Sequence, residues 1–401
     1  MNRIAIVGAS AGGLSTAEAL RRTGYQGTIT LVGDEPEMPY DRPPLSKQLL
    51  AGQWTPSRLA LRSEADIEAL GLDLRLGVPA TALDLARRVV TLADDTPVPY
   101  DTLIIATGVR ARRLPGTDGV AGVHTLRSLP DALTLKDRLV PGRHLVIVGA
   151  GFVGAEVAAT ARGLGVRVTL LESGPVPLAL AVGKEAGRFL TSLHQQHGVD
   201  IRTGATVTGI ARTAAGAVSG IQLADGALVP ADDVLVAIGS TPNTEWLSGS
   251  GLAGRDGVSC DEYCAVADGV YAVGDVARWY NPLFGAEMRV EHRTNAAEQA
   301  LAVARNLVAP QARRPFAPVP YFWSDQYGTR IQAYGCLRDH DEAVVIEADP
   351  NGRTFLVAYR KDDRLVGVLA TGKTPKTLRP WRARITARAP WTAALNHPTA
   401  A

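Results

Sequence analysis

A strand, a glycine-rich turn, a helix and a second strand follow one another at the start of the chain, and the same order recurs near its middle. In the first copy an apolar run at residues 4–7 leads into GASAGG at residues 8–13, and a helical pattern covers residues 14–22. The next apolar run, at residues 28–32, predicts a second strand. Because strand–helix–strand units form parallel pairs, the repeat restricts the chain to an α/β fold with two parallel sheets.

The glycines of the first copy predict a pyrophosphate site. Gly8 permits a sharp turn, Gly13 permits the helix to approach the strand closely, and N–H groups near Ala11 face an anion. Ser10 replaces the middle glycine of the G-x-G-x-x-G motif, so its hydroxyl lies where the backbone comes closest to phosphate. Glu35, just past the second strand, is the predicted acceptor for a ribose hydroxyl.

The second copy carries the complete glycine motif at residues 149–154, between a strand at residues 144–148 and a helix at residues 155–164. A further strand at residues 167–171 ends at Glu172, whose carboxylate would accept hydrogen bonds from both ribose hydroxyls and repel a 2′-phosphate. This site is therefore expected to bind NADH in preference to NADPH. The residues predicted from the motifs to contact NAD are Gly149, Gly151, Phe152, Val153, Gly154, Glu172 and Gly239.

Other apolar runs end at glycine corners. The run that ends at residues 106–108 is predicted to lie beside the first strand, and the run at residues 233–239 is a further buried strand. The corner at residues 274–275 places Asp275 at the start of the following helix, either as a ribityl ligand or as a helix cap. Between these runs, residues 204–228 predict a small antiparallel excursion.

A loop with three prolines, at residues 39–47, is predicted to be stiff and to hold functional groups in place. Lys47 at its end has two interpretations. It is either a functional group or a solvated surface lysine that starts a helix at residues 48–51.

The amino-acid composition is that of a globular protein, and its balance of charges does not predict binding to nucleic acid or membranes. Of its 401 residues 46% are hydrophobic and 20% are charged, and 42 basic side chains stand against 40 acidic ones. The first residues enter a strand without an apolar signal-peptide region, and three cysteines are too few for a disulfide framework. We therefore expect a cytoplasmic protein of two or three domains.

The last part of the chain has a different composition. A proline- and arginine-rich stretch at residues 311–320 predicts a linker. An antiparallel sheet is predicted from apolar runs near residues 331–334, 342–347, 354–360 and 365–370. No acidic residue follows Asp363, whereas basic residues recur at Lys373, Lys376, Arg379, Arg382, Arg384 and Arg388. This end is either a solvated helix face or a docking surface for an acidic partner.

The order of these motifs, with RPPLSK at residues 42–47 and WSDQYG at residues 323–328, resembles the FAD-dependent NADH:ferredoxin reductases of the putidaredoxin reductase and aromatic-ring dioxygenase type. The resemblance implies an α/β fold with two Rossmann-like dinucleotide-binding domains, as in glutathione reductase, plus a C-terminal α+β domain. The implied boundaries are 1–112 and 240–314 for the FAD domain, 113–239 for the NAD domain and 315–401 for the C-terminal domain.

The resemblance also implies roles for single residues. Lys47 would lie near the flavin N5 and Trp323 beside the isoalloxazine, while Glu156 would lie near the nicotinamide and pair with Lys47. Lys47 and Glu156 are the residues assigned to catalysis, and Glu156 also joins the NAD site. The residues assigned to FAD are Gly8, Ser10, Ala11, Gly13, Glu35, Arg42, Lys47, Ala106, Thr107, Gly108, Arg127, Gly274, Asp275 and Trp323.

Two features distinguish this chain from relatives of the same fold. Arg293 stands where the ferredoxin reductases have tryptophan or another apolar residue, which leaves the identity of the protein partner open. Disulfide reductases need a redox cysteine after the first helix, whereas this region has Ser46 and no cysteine. Cys260 and Cys264 are therefore expected to be structural.

The activity implied is hydride transfer from NADH to FAD, followed by transfer of single electrons to an iron–sulfur ferredoxin that serves a monooxygenase or dioxygenase. We expect a monomer or weak dimer, with no metal site. One alternative keeps the cofactors and changes the acceptor, as in an NADH oxidase or a rubredoxin or nitrite reductase subunit. The other is a flavoprotein that senses NADH without turnover.

Overall fold

The computed structural model describes residues 2–349 and 354–396, which group into two compact units. Unit 1 comprises Met1–Asp41, Ser57–Arg110 and Thr241–Pro320. Unit 2 comprises Arg42–Pro56, Ala111–Ser240 and Tyr321–Ala401. Each unit is therefore assembled from separate stretches of the chain.

Unit 1 is built on a six-stranded sheet in the order Ala265–Ala267, Val270–Ala272, Thr102–Ile105, Arg3–Val7, Thr28–Val32 and Asp73–Arg75. Its inner pairs are parallel, with Ile4 opposite both Ile29 and Thr102. Alternate residues of the first strand enter two cores, because successive side chains point to opposite faces of a sheet. Ile4 and Ile6 pack with the helices Ala11–Arg22 and Arg293–Val308, which also pack on each other.

The remaining strands of unit 1 form small sheets, some of whose residues belong to these cores. An antiparallel sheet contains Ala80–Asp84, Val89–Leu92 and Pro97–Pro99, and a four-stranded sheet contains Ala253–Gly254, Gly257–Cys260, Ala277–Asn281 and Ala286–Arg289. The short helices of this part of the chain are Glu64–Glu68 and the 3-10 turns Pro56–Leu59, Glu245–Leu247, Gly274–Val276 and Pro310–Ala312. The strands Val109–Ala111 and Ser240–Pro242 pair with each other.

Unit 2 contains a five-stranded parallel sheet in the order Asp200–Thr203, Arg167–Glu172, His144–Val148, Asp233–Val236 and Val123–His124. The helices in the same stretch of the chain are Leu129–Lys136, Phe152–Gly163 and Ala179–Gln196. The predicted antiparallel excursion is present as Val207–Arg212, Val218–Leu223 and Leu228–Pro230.

The C-terminal part of unit 2 is an antiparallel sheet in the order Tyr321–Gln326, Thr329–Gly335, Arg364–Thr371, Phe355–Lys361 and Glu342–Ala348, followed by helices Pro375–Thr386 and Trp391–Leu395. The first of these strands was not predicted. One face of the sheet shares a core with helix Ala179–Gln196, where Leu190 packs with Ile331 and Tyr359. The two parallel sheets and this α+β part have the predicted architecture.

Two local predictions are wrong. No helix forms at residues 48–51. Instead the prolines support a 3-10 helix, Pro43–Ser46, after which Lys47 N–H bonds to the Pro44 carbonyl and Ala51 N–H to the Lys47 carbonyl in a series of turns. Asp275 lies within the one-turn 3-10 helix Gly274–Val276, which leads into a strand and not into a helix. The four residues 48–51 are too few to form an α-helix on their own, because starting a helix is unfavourable unless neighbouring residues extend it.

None of the helices in the described residues is long and apolar enough to cross a bilayer.

Candidate functional site

In the glycine turn of unit 2, one of the three motif glycines has space for a side chain and the other two do not. A Cβ at Gly149 would lie 2.4 Å from the Ala237 carbonyl oxygen, and one at Gly154 would lie 2.2 Å from the Gly149 carbonyl oxygen. A Cβ at Gly151, the N-cap of helix Phe152–Gly163, would meet no atom within 4 Å. The chain itself therefore requires the outer glycines, while the middle one borders free space in front of a helix N-terminus. That arrangement fits a pyrophosphate.

Glu172 is fixed beside this turn by two backbone donors. Ala150 N–H donates to Oε2 at 3.1 Å and Gly174 N–H donates to Oε1 at 2.8 Å. Ser173 Oγ also donates to Oε1, at 3.4 Å, and because a carboxylate has about four acceptor sites, Oε2 keeps capacity for another donor. The partly exposed carboxylate is thus oriented with Oε2 able to accept from a ribose hydroxyl.

The other residues assigned to NAD surround the same turn. Phe152 begins the helix and packs edge-on against Phe322, with ring centroids 4.7 Å apart. Val153 is 43% exposed, and Gly239 has a φ of 96°. Glu156 is buried one turn further along the helix.

The glycine turn of unit 1 follows the same plan. A Cβ at Gly8 would lie 2.1 Å from the Ala106 carbonyl oxygen, and one at Gly13 would lie 1.9 Å from the Gly8 carbonyl oxygen. Helix Ala11–Arg22 begins earlier than predicted, with Ser10 as its N-cap. The Ser10 side chain makes no capping hydrogen bond, so its hydroxyl is free to face a ligand. The turn fits the pyrophosphate of FAD.

Further residues assigned to FAD line neighbouring corners of unit 1. Glu35 accepts a hydrogen bond from the Tyr40 hydroxyl. Thr107 and Asn243 exchange two bonds, Thr107 Oγ1 to the Asn243 carbonyl at 2.7 Å and Asn243 Nδ2 to the Thr107 carbonyl at 2.9 Å. The φ of 63° at Gly108 then turns the chain away.

Gln299 holds the Gly274–Asp275 corner, a contact that sequence reasoning did not predict. Its Oε1 accepts from the Gly274 N–H at 2.8 Å and from Asn295 Nδ2 at 3.2 Å, and it is fully buried. The only signal in the sequence is a polar residue on the apolar face of helix Arg293–Val308. Asp275 itself remains partly exposed.

The ion pair predicted between Lys47 and Glu156 is present in unit 2. Lys47 Nζ lies 2.9 Å from Glu156 Oε2, with 11% and 8% of the side chains exposed. Ser46 Oγ donates to the same oxygen at 2.5 Å, and Ser324 Oγ donates to Glu156 Oε1 at 2.7 Å. Lys47 is therefore not a solvated surface lysine.

The remaining residues assigned to FAD in unit 2 lie on loops and one strand. Arg42 Nη1 donates to the Arg127 carbonyl at 2.7 Å, and Arg127 N–H donates to Asp131 at the start of a capped helix. Trp323 is partly buried on strand Tyr321–Gln326, where its ring stacks with that of Tyr321 at a centroid distance of 6.0 Å.

The cysteines are unsuited to thiol chemistry. Cys260, Cys264 and Cys336 are free, and burial raises the pKa of each thiol, to about 12 for Cys260 and Cys336. Buried Cys264 accepts a hydrogen bond from Gln299 Nε2 at 3.7 Å. Thiols with raised pKa values are poor nucleophiles.

Arg293, the position that departs from the family, begins helix Arg293–Val308 and pairs with Asp41 at 2.7 Å. The basic C-terminal residues lie mainly on helix Pro375–Thr386, whose buried side chains are Leu378, Trp381 and Ile385.

Comparison with known proteins identifies relatives that are named as pyridine nucleotide-dependent reductases. Residues 2–300 match the pyridine nucleotide-disulphide oxidoreductase family, and residues 321–399 match the reductase C-terminal family. The 5,5'-dehydrodivanillate O-demethylase ferredoxin reductase subunit of Sphingobium sp. is 38% identical over 372 residues, which cover 92% of this chain and 90% of that protein. Putidaredoxin reductase CamA of Pseudomonas putida is 36% identical over 373 residues, which cover 92% and 88%.

A crystal structure of the covalent putidaredoxin reductase–putidaredoxin complex contains a chain that matches with a TM-score of 0.92 and 35% identity, covering 97% of this chain and 94% of that one. The biphenyl dioxygenase system ferredoxin–NAD(+) reductase component of Paraburkholderia xenovorans is 39% identical over 369 residues, which cover 91% and 88%. The chain therefore belongs to the pyridine nucleotide-disulphide oxidoreductase family, in the group of the ferredoxin–NAD(+) reductases.

Proposed function

We propose that this protein is a cytoplasmic flavoprotein that oxidises NADH and passes single electrons to an iron–sulfur ferredoxin, which in turn serves a monooxygenase or dioxygenase. The observation that carries the proposal is the buried Lys47–Glu156 pair, which lies in the same unit as a complete glycine turn and its fixed Glu172. The named partners of the relatives, putidaredoxin and the dioxygenase ferredoxins, support the choice of acceptor.

The glycine turn of unit 2 and Glu172 bind the NADH ribose and pyrophosphate in this proposal, and the carboxylate excludes NADPH by charge repulsion. The turn of unit 1, with Ser10, Glu35 and Asp275, binds FAD. When bound, FAD accepts a hydride and releases its two electrons one at a time. Lys47 supplies positive charge near the reacting ring, and Glu156 holds the ammonium group in place.

The FAD domain in this proposal comprises residues 1–112 and 240–314, the NAD domain residues 113–239 and the C-terminal domain residues 315–401. Residues 42–56, which carry Lys47, group with unit 2.

Anaerobic stopped-flow spectroscopy of the yellow protein tests the proposal. We expect fast bleaching by NADH, much slower bleaching by NADPH, and rapid reduction of an added two-iron ferredoxin. Bleaching followed by oxygen consumption without ferredoxin reduction would favour an oxidase. A long-lived charge-transfer complex without turnover would favour an NADH sensor, and no bleaching at all would exclude the nicotinamide assignment.

A further inference from the structure

The Glu156 carboxylate is the end of a chain of buried hydrogen bonds that extends away from Lys47. Ser324 Oγ donates to Glu156 Oε1 at 2.7 Å, and Gln326 Nε2 donates to Ser324 Oγ at 3.1 Å. Ser324 and Gln326 are two residues apart on strand Tyr321–Gln326, so both side chains lie on the same face of the sheet. Neither side chain is more than 1% exposed.

The chain continues to helix Ala179–Gln196. His194 Nε2 lies 2.9 Å from Gln326 Oε1, and His194 Nδ1 lies 2.8 Å from the Tyr327 hydroxyl. Tyr327 occupies the turn after the strand with a φ of 51°, in the left-handed region that few aromatic residues adopt. Its ring stacks on His197 at a centroid distance of 3.8 Å, which closes the outer end of the chain.

The chemistry of the groups gives every bond the same direction. An ionised carboxylate only accepts, so Ser324 must donate to Glu156 and accept from the amide nitrogen of Gln326. The amide oxygen of Gln326 then faces His194, which must carry its proton on Nε2. Burial lowers the pKa of His194 to about 4, so the ring is neutral at pH 7 and Nδ1 accepts from the Tyr327 hydroxyl.

We propose that His194 is a positioning residue that acts through Gln326 and Ser324 to hold the Glu156 carboxylate in the orientation that presents Oε2 to Lys47. This inference rests on the proposed function, in which Lys47 and Glu156 lie at the site of NADH oxidation. Aligned donors polarise one another, so the chain stabilises the negative charge at its end more than an isolated Ser324 hydroxyl would.

The chain orients and does not conduct protons. An amide can exchange its donor and acceptor ends only by turning over, and Gln326 separates His194 from Ser324. His194 therefore influences Glu156 through geometry and polarisation.

Two substitutions interrupt the chain at different places. Gln326→Leu removes the link between His194 and Ser324, and Tyr327→Phe removes the outermost donor while keeping the ring. Tyr359→Phe is the matched control, because Tyr359 is also a buried tyrosine that donates to helix Ala179–Gln196, through the Val182 carbonyl at 2.5 Å. We expect Gln326→Leu to slow flavin reduction by NADH about tenfold and Tyr327→Phe about threefold, with the NADH dissociation constant unchanged.

The decisive comparison repeats Gln326→Leu in a Glu156→Gln background. If the chain acts through Glu156, Gln326→Leu has no further effect on the rate there, because the group that it positions is already lost. An equal slowing in both backgrounds, a change confined to NADH affinity, or an effect of Tyr359→Phe as large as that of Tyr327→Phe would overturn the inference.

A measurement that does not depend on turnover is ¹⁵N NMR of protein labelled at histidine, with the His194 signals assigned by their loss in His194→Gln. We expect the Nε2–H tautomer in the unsubstituted protein and a shift of these signals in Glu156→Gln. Unchanged signals would show that the two residues are uncoupled. If NADH fails to reduce the unsubstituted protein, the proposed function is wrong, and the NMR comparison alone decides whether the chain orients Glu156.

Discussion

Lys47 Nζ and Glu156 Oε2 lie 2.9 Å apart, and about nine-tenths of each side chain is buried. The two residues are 109 positions apart in the sequence; Lys47 is the C-cap of the 3-10 helix Pro43–Ser46, and Glu156 lies on the helix Phe152–Gly163. A pair of this kind costs desolvation energy on both sides, so its presence in a buried site points to a role other than stability.

Replacement of Lys47 alone should lower the free energy of unfolding more than replacement of both Lys47 and Glu156. Lys47→Met leaves the Glu156 carboxylate buried with hydroxyl donors only, and we expect the free energy of unfolding to fall by about 3 kcal/mol. The double variant Lys47→Met/Glu156→Gln should regain part of that loss. Urea unfolding checks this, with exposed Lys184→Met as the control. A double variant less stable than the single one would contradict the expected coupling.

Substitutions in the glycine turn of unit 2 should separate an effect on protein stability from an effect on NADH binding. Gly154→Ala places a Cβ 2.2 Å from the Gly149 carbonyl oxygen, so we expect a loss of about 3 kcal/mol in stability. A side chain at position 151 faces open space, so the Gly151→Val protein should fold normally. Its affinity for NADH should fall about tenfold, because the valine occupies the pyrophosphate position. Thermal unfolding and NADH titration distinguish the two effects. Gly151→Ser, which copies Ser10 of the other turn, should have the smallest effect on binding.

Glu172→Ala should weaken NADH binding about tenfold, with little change in the limiting rate of flavin reduction, because the carboxylate binds ribose in ground and transition states alike. The concentration dependence of stopped-flow reduction separates these quantities. Glu185→Ala serves as the control, since Glu185 is paired with Arg188 on a helix surface. An unaltered dissociation constant in Glu172→Ala would exclude the ribose assignment.

Gln299→Leu should release the Gly274–Asp275 corner without touching FAD directly. The substitution leaves the Gly274 N–H and Asn295 Nδ2 without their present acceptor, so we expect lower stability and about tenfold weaker retention of FAD. Flavin release during dialysis measures the second effect. Exposed Gln26→Leu is the control in the same unit, and equal flavin retention in both variants would show that the corner does not depend on Gln299.

The buried His194 should make the protein less stable in acid. Its pKa is about 4 when folded and near 6.5 when unfolded, so between these values the unfolded chain binds a proton that the folded chain does not. The free energy of unfolding therefore falls as the pH falls, by about 2 kcal/mol from this residue between pH 7 and pH 5. Denaturant unfolding of the unsubstituted protein and His194→Gln at both pH values isolates the contribution. A pH dependence equal in the two proteins would refute it.

The parts of the site that depend on local sequence could be predicted, and the parts that depend on packing could not. Both glycine turns and the position of Glu172 follow from the spacing of residues within single strand–helix–strand units. The Lys47–Glu156 pair was expected only from resemblance to a family, since no local pattern joins residues so far apart. The contacts of Gln299 and His194 could not be predicted because their sequence neighbours give no sign of the distant groups that they bind. The helix predicted at residues 48–51 failed because proline-supported turns determined that segment.

Each unit alternates with the other along the chain, and this has a consequence during synthesis. Unit 1 is complete only once Pro320 has been made, and unit 2 requires both Arg42–Pro56 and the stretch that begins at Tyr321. No contiguous fragment contains either unit without pieces of the other. A ribosome-bound chain therefore has neither unit complete until most of the protein has been translated, and truncated versions from either end should need refolding with a complementary fragment.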